Sequence, residues 1–216
     1  MHSIWHGLAA AALAGTSLSA QGYPVIPRML PDTEEIILAR SAAPAEISAA
    51  ASVYTVRDGR AVQLRAGTNG CSCMVARDLH EGSLYPICFD VQGTKSVLPR
   101  ELMELSLRSM GRSEADVIKA VEVAYQSGAL RPPASLAIAY MMSGRQVLFS
   151  SPLAEGVRVG PWHPHLMLYV PNATPEQLGL RADSRVGVIS VGAPSTRRAE
   201  IIIKVPEWAD GSVAPK

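Results

Sequence analysis

Ser52-Val53-Tyr54-Thr55-Val56-Arg57-Asp58-Gly59-Arg60-Ala61-Val62-Gln63-Leu64-Arg65 reads as two strands around a turn. Asp58-Gly59 is a strong two-residue hairpin signal, because its residue types tolerate the positive φ such a turn needs. Val62 and Leu64 share one face of the returning strand, since side chains alternate along a strand. Gly67-Thr68-Asn69-Gly70 makes a second turn. Cys71 to Arg77 then reads as a third strand with Cys71, Cys73 and Val75 on one face, and Tyr85 to Asp90 as a fourth. The stretch predicts a meander of four short strands.

Helices flank it. Asp32 is a good N-cap, Glu34 and Glu35 suit a first turn, and Pro44 stops the run. Downstream, Leu98-Pro99-Arg100-Glu101 starts a helix with proline near its first position, carried on by Leu102, Leu105 and Met110. Ser113 caps another from Glu114 to about Gln126, with Val117, Ala120, Val121 and Ala124 on one face. Strands follow at Leu136 to Met142, Gln146 to Phe149, His165 to Val170, Val186 to Val191 and Glu200 to Val205. Thr174-Pro175-Glu176 opens a short helix. The prediction is a single α+β domain over residues 21–216, a largely antiparallel sheet with a few flanking helices.

Residues 1–20 read as a secretory signal peptide. Gly7 to Leu18 is small and apolar, and Leu18-Ser19-Ala20 fits the cleavage pattern. The segment before it lacks Lys and Arg, so an Ala-rich N-terminal helix is the competing reading. No apolar run reaches the ~20 residues a bilayer requires. The formal net charge of +1 argues against a nucleic-acid partner, which needs a basic stripe. Charged residues are 18% of the chain, so the surface is unusually apolar or covered by a partner, and an oligomer is one way to cover it. The expected location is secreted or periplasmic.

Three cysteines cannot all pair internally. Cys71 with Cys73 would close a strained ring. A hairpin would bring Cys73 to Cys88, and a loop of that size adds roughly 3 kcal/mol in the chain-entropy model. Cys71 is left as a small buried side chain, a soft metal ligand or half of an intermolecular bridge.

His163-Pro164-His165 is the most chemical tripeptide in the chain. The two imidazoles would share a strand face, and imidazole is both the commonest metal ligand and the usual proton carrier near neutral pH. A divalent metal such as zinc or calcium would need a third ligand, and Asp90 is the favoured donor, with His80, Asp78 and Glu46 as others. Arg77 reads as a surface ion-pair partner or as a clamp for a carboxylate or carbonyl. No Gly-x-Ser-x-Gly elbow, phosphate loop or His-Glu-x-x-His motif is present in the sequence.

Three segments taken together carry a resemblance. They are Ser41-Ala42-Ala43-Pro44-Ala45-Glu46, then Gly67-Thr68-Asn69-Gly70 with Cys73 and Pro86-x-Cys88-x-Asp90, then Pro164-His165-Leu166-Met167 with Tyr169 and Pro171. The combination resembles a group of uncharacterised secreted bacterial proteins of about this length. In that group an apolar residue often stands at the place of Cys71, which supports the Cys73–Cys88 pairing. His165 matches the group's motif and His163 matches it less firmly.

Two functions compete. The first is an exported small hydrolase acting on an ester, lactone or amide. In it His165 is base or metal ligand, His163 and Asp90 are further ligands, and Arg77 and Glu46 complete the catalytic set. The second is a non-catalytic secreted or periplasmic protein that binds a small molecule, a metal or a protein. Convergence of His165, Glu46, Arg77 and Asp90 in one pocket favours the enzyme, and scattering favours the binder.

Overall fold

The structure is a computed structural model that describes residues 28–77, 83–149, 158–160, 162–180 and 189–214. The expected leader, together with Asp78 and His80, lies outside the described residues. Among those described, no helix is long and apolar enough to cross a membrane.

The elements run α1 (Asp32–Arg40), α2 (Ala45–Ser48), β1 (Ser52–Arg57), β2 (Arg60–Arg65), β3 (Ser72–Ala76), β4 (Tyr85–Phe89), α3 (Val91–Ser96), α4 (Leu98–Ser109) and α5 (Glu114–Gln126). β5 (Ala137–Met141), β6 (Leu148–Phe149), β7 (Arg158–Gly160), β8 (His165–Tyr169), a 3-10 turn at Pro175–Leu178, β9 (Ile189–Gly192) and β10 (Glu200–Lys204) complete the order. Eight strands form one sheet in the order β2-β1-β3-β4-β5-β8-β10-β9, while β6 and β7 pair separately. Only β1 and β3 run parallel within the large sheet. The fold is α+β with a mostly antiparallel sheet, as its sequence implies.

The hairpin forms as expected, with Asp58 at φ 48° and Gly59 at φ 69°. The four-strand meander does not form. β3 pairs with β1 instead of β2, so the chain crosses the start of β1 before re-entering the sheet. The crossing is made by the 67–70 turn. Thr68 N donates to the Ala50 carbonyl, Asn69 Nδ2 to Ile47, and Ser52 N to Cys71. A Cβ at Gly67 would lie 2.2 Å from Ser52 N and 2.4 Å from the Ala51 carbonyl carbon. Backbone cannot swing aside as a side chain can, so glycine is required here. Gly67→Ala should cost about 1–3 kcal/mol or more, the usual range for overpacking. Urea unfolding measures this, and an unchanged midpoint would contradict it.

The central strands are covered on both faces. Val53, Cys73, Val75 and Cys88 pack against Leu38, Ala39 and Ala42 of α1 and the turn after it. Val56, Met74, Ile87 and Phe89 face the other way, onto Val97, Leu98 and Leu105 at the α3–α4 layer. α5 then packs on α4 through Val121 and Ala124 against Met103. Asp32 is not the α1 cap; it sits in the first turn and pairs with Arg57 at 2.7 Å. Ser113 does cap α5, accepting from Asp116 N. α3 was not evident in the sequence, and Asp90 caps it.

Candidate functional site

α4 presents Arg100, Glu104 and Arg108 one turn apart, on one face of the helix. All three are buried, at 4%, 2% and 8% exposure. They roof a cavity of about 560 Å³ whose floor is the sheet. The strand register sets that floor in rows, with Glu200 opposite Tyr169 and Ile202 opposite Met167; the next row on the same face, Lys204 opposite His165, lies beyond the cavity lining. Ile87, Met141 and Leu148 add apolar wall, and Trp162, Ala193 and Arg198 stand at the rim.

Glu104 is the hub of the roof. Its carboxylate is 3.1 Å from Arg198, 3.3 Å from Arg108 and 3.6 Å from Arg100. Arg100 also pairs with Glu101 and lies 5.6 Å over the Tyr169 ring. Arg108 reaches Glu114 at 3.0 Å. Arg100 Nε and Glu104 Oε1 face each other too far apart for a hydrogen bond, and buried Arg198 Nε has no hydrogen-bond partner. Burying polar atoms without partners is costly, so such atoms inside a cavity mark a place for another molecule's polar groups.

The carboxyls here are perturbed. Burial pushes the Glu104 carboxyl up, and neighbouring Glu101 adds to it against three arginines. Burial also raises Glu200, to about 7, with Glu101 and Glu104 opposing its charge and Arg100 and Arg198 relieving it. Its carboxylate lies across Gly192, where a Cβ would meet Glu200 Oε1 at 2.0 Å. Tyr169 is likewise pushed up by burial and stays a neutral phenol.

His165 is 3% exposed on the same face of the sheet, four residues along from the Glu200 row and outside the residues that line the cavity. At about 3.3 Å per residue, that offset is roughly 13 Å. Its Nδ1 is 2.8 Å from the His163 carbonyl. A carbonyl only accepts, so Nδ1 carries the proton and Nε2 holds the lone pair. Trp162 tilts over the ring at 6.1 Å between centroids. Burial and Lys204 hold the imidazole below its ordinary range, outweighing the His163 carbonyl.

Of the other residues singled out in the sequence, Arg77 reaches the cavity wall and the rest lie elsewhere. The Arg77 guanidinium is fully engaged with Glu35 across the α1 side, at 2.6 and 2.9 Å; only its carbonyl turns toward the roof, accepting from Arg108. Asp90 Oδ1 accepts from Gly93 N and Ile138 N. It therefore sits near the opposite end of β5 from Met141, the strand partner of His165. Glu46 is exposed on α2, and His163 is exposed ahead of β8. The structure brings none of Glu46, Arg77 and Asp90 to His165 as a functional group. Among the described residues, no three His, Cys, Asp or Glu side chains group to hold a metal ion. The sulfurs of Cys73 and Cys88 are bonded and Cys71 is free and buried. No protein-family model, curated protein or solved structure matches the chain.

Glu200 and His165, on one face of the sheet, act on stability in opposite directions. Glu200 binds its proton more tightly when folded. Its contribution is complete below its ordinary 4.5 and is lost as pH rises through about 7. His165 binds its proton less tightly when folded. Its contribution is present above its ordinary 6.5 and is lost as pH falls through the depressed folded value. Melting curves between about pH 5 and pH 7 should therefore climb with pH more steeply in Glu200→Gln than in the parent, and less steeply in His165→Gln. A Glu200→Gln profile parallel to the parent would contradict the assignment.

Proposed function

We propose that the protein is an exported binder of a small molecule, seated in the cavity between α4 and the sheet. The cavity itself carries this reading, together with Arg198 Nε, which is buried without a hydrogen-bond partner. The cavity volume of about 560 Å³ falls within the ~300–1,000 Å³ of small-molecule sites. Apolar wall and a few convergent polar groups are the usual composition of such sites. The scattering of Glu46, Arg77 and Asp90 away from His165 also favours a binder. Export is supported by the Cys73–Cys88 bridge, since disulfides persist in oxidising compartments.

A thermal-shift screen against a small-molecule library tests the reading. A ligand at ~100 times its Kd adds roughly 2.7 kcal/mol to stability. Ala193 is exposed and lines the cavity, so the larger side chain of Ala193→Phe narrows the mouth. The variant should lose the shift. Hits that shift both proteins equally would place binding elsewhere.

One observation favours the hydrolase as a second reading. A carboxyl near 7 is poised for general base work on water attacking an ester, lactone or amide. His165 Nε2, with its lone pair, is a second base on the same sheet face, beyond the residues that line the cavity. Activity on a p-nitrophenyl ester should fall at least ~100-fold in Glu200→Gln or His165→Ala if either group acts. Turnover indifferent to both changes would leave the binder alone.

A further inference from the structure

We infer that the ligand of this cavity carries a cationic amine and that Glu200 is the group that receives it. The inference rests on the small-molecule reading above and deepens it. Each guanidinium around the cavity has a carboxylate of its own. Arg77 is held by Glu35, Arg100 by Glu101, Arg108 by Glu114 and Arg198 by Glu104. Glu200 is the carboxyl left over. Among the described residues, no arginine, lysine or histidine nitrogen lies within ion-pairing distance of it. An ionised Glu200 leaves the cavity one negative charge in surplus, and a ligand bearing one positive charge cancels it. An anionic ligand would deepen the imbalance, because every arginine it approached is already paired.

The surroundings fit an amine on a small apolar body. Met141, Met167 and Ile87 give the floor its apolar area, and the exposed ring of Trp162 at the rim suits the face of a cation or an aromatic group. The N–H of Arg198 Nε, which has no hydrogen-bond partner, is free for an uncharged oxygen on the same ligand. The charged and titratable groups facing Glu200 are Arg100, Glu101 and Glu104 from α4, Arg198 from the loop before β10, and Tyr169 from β8. The arginines stay charged and Tyr169 stays neutral. A carboxyl that is half protonated at about 7 must shed its proton to pair with an amine. Amine binding therefore expels a proton at lower pH, and affinity rises as pH rises toward 7, up to ~10-fold per unit, then levels off.

Calorimetry on the purified protein with phenethylamine, 2-phenylethanol and 3-phenylpropanoate tests this, since the three share a ring and differ in charge. Phenethylamine should bind at least ~10-fold more tightly than the alcohol at pH 7.5, with the acid weakest. Glu200→Gln should bring amine and alcohol to equal affinity. The parent protein's own pH profile is a second readout that needs no variant. An alcohol or acid that binds as tightly as the amine, or an amine affinity flat from pH 5.5 to pH 7.5, overturns the inference and leaves the cavity as a binding site for another class. Failure of all three probes overturns the inference, while library hits blocked by Ala193→Phe would still uphold the cavity reading. Failure of those hits as well removes both.

Discussion

Glu35→Ala should cost the fold about 3–5 kcal/mol, the range for breaking one partner out of a buried ion pair. Against the usual total of about 5–15 kcal/mol, that is roughly a fifth or more of the stability. The Glu35 and Arg77 side chains are 0% and 1% exposed. Two parallel bonds join them, and Glu35 Oε1 also accepts from Thr55 Oγ1. Removing the carboxylate leaves a guanidinium in the interior with only the Arg28 and Val75 carbonyls. An arginine cannot escape by losing its proton, so the whole desolvation penalty is felt. Glu35→Gln keeps acceptors and should cost less. Replacing both groups, as Glu35→Leu with Arg77→Met, should recover most of the loss, because a well-packed apolar pair avoids desolvation altogether. Urea unfolding of the four proteins measures these differences. A Glu35→Ala loss under about 1 kcal/mol would mean that water reaches the pair.

That ion pair also marks the limit of what could be read in the residues. Arg77 was legible as a functional or surface arginine, but its partner lies 42 positions away on α1, and no local pattern joins them. Asp58-Gly59 was fully legible, because a two-residue turn demands its φ angles locally. The β1–β3 pairing was not, because it is decided by the close approach of Gly67 to the start of β1. α3 was hidden because Val91-Gln92-Gly93 is a poor helical start that Asp90 makes viable, so its cap read as a metal ligand. Alternation alone implied that His165 would be buried with Met167, and both are. The cavity was half visible. Arg100, Glu104 and Arg108 stand at i, i+4 and i+8, a charged stripe that the apolar Leu102 and Leu105 drew attention from. Arg198, in the loop before β10, and Glu200, at the start of that strand, complete it from about a hundred residues later, and only the pairing of β10 in the sheet puts them there.

Cys73→Ala with Cys88→Ala should lower stability by about 3 kcal/mol, the loop-closure contribution expected for this span. The two residues stand directly opposite in the β3–β4 register, 15 positions apart in the chain. Such a bridge acts by restricting the unfolded chain, so its loss changes the fold's stability more than its shape. For a chain of this size the expected fall in melting temperature is roughly 6–12 °C. Both cysteines are fully buried against α1, where Cys88 Sγ lies 3.5 Å from the Ala39 carbonyl. A reductant should therefore open the bridge only as fast as the protein unfolds, and slowly under native conditions. Cys71 behaves differently. It is 8% exposed, and burial together with Asp90 pushes its thiol up, so it remains protonated and unreactive in the folded state. Alkylation before and after denaturation separates the roles. Native protein should take up almost no reagent, and denatured unreduced protein should take up one equivalent, at Cys71 alone. Because Cys71 and Cys73 share one tryptic peptide, tandem fragmentation between them is needed to place the label. A label on Cys73, or Cys71 found bonded to Cys88, would contradict the pairing and remove the covalent tie between β3 and β4.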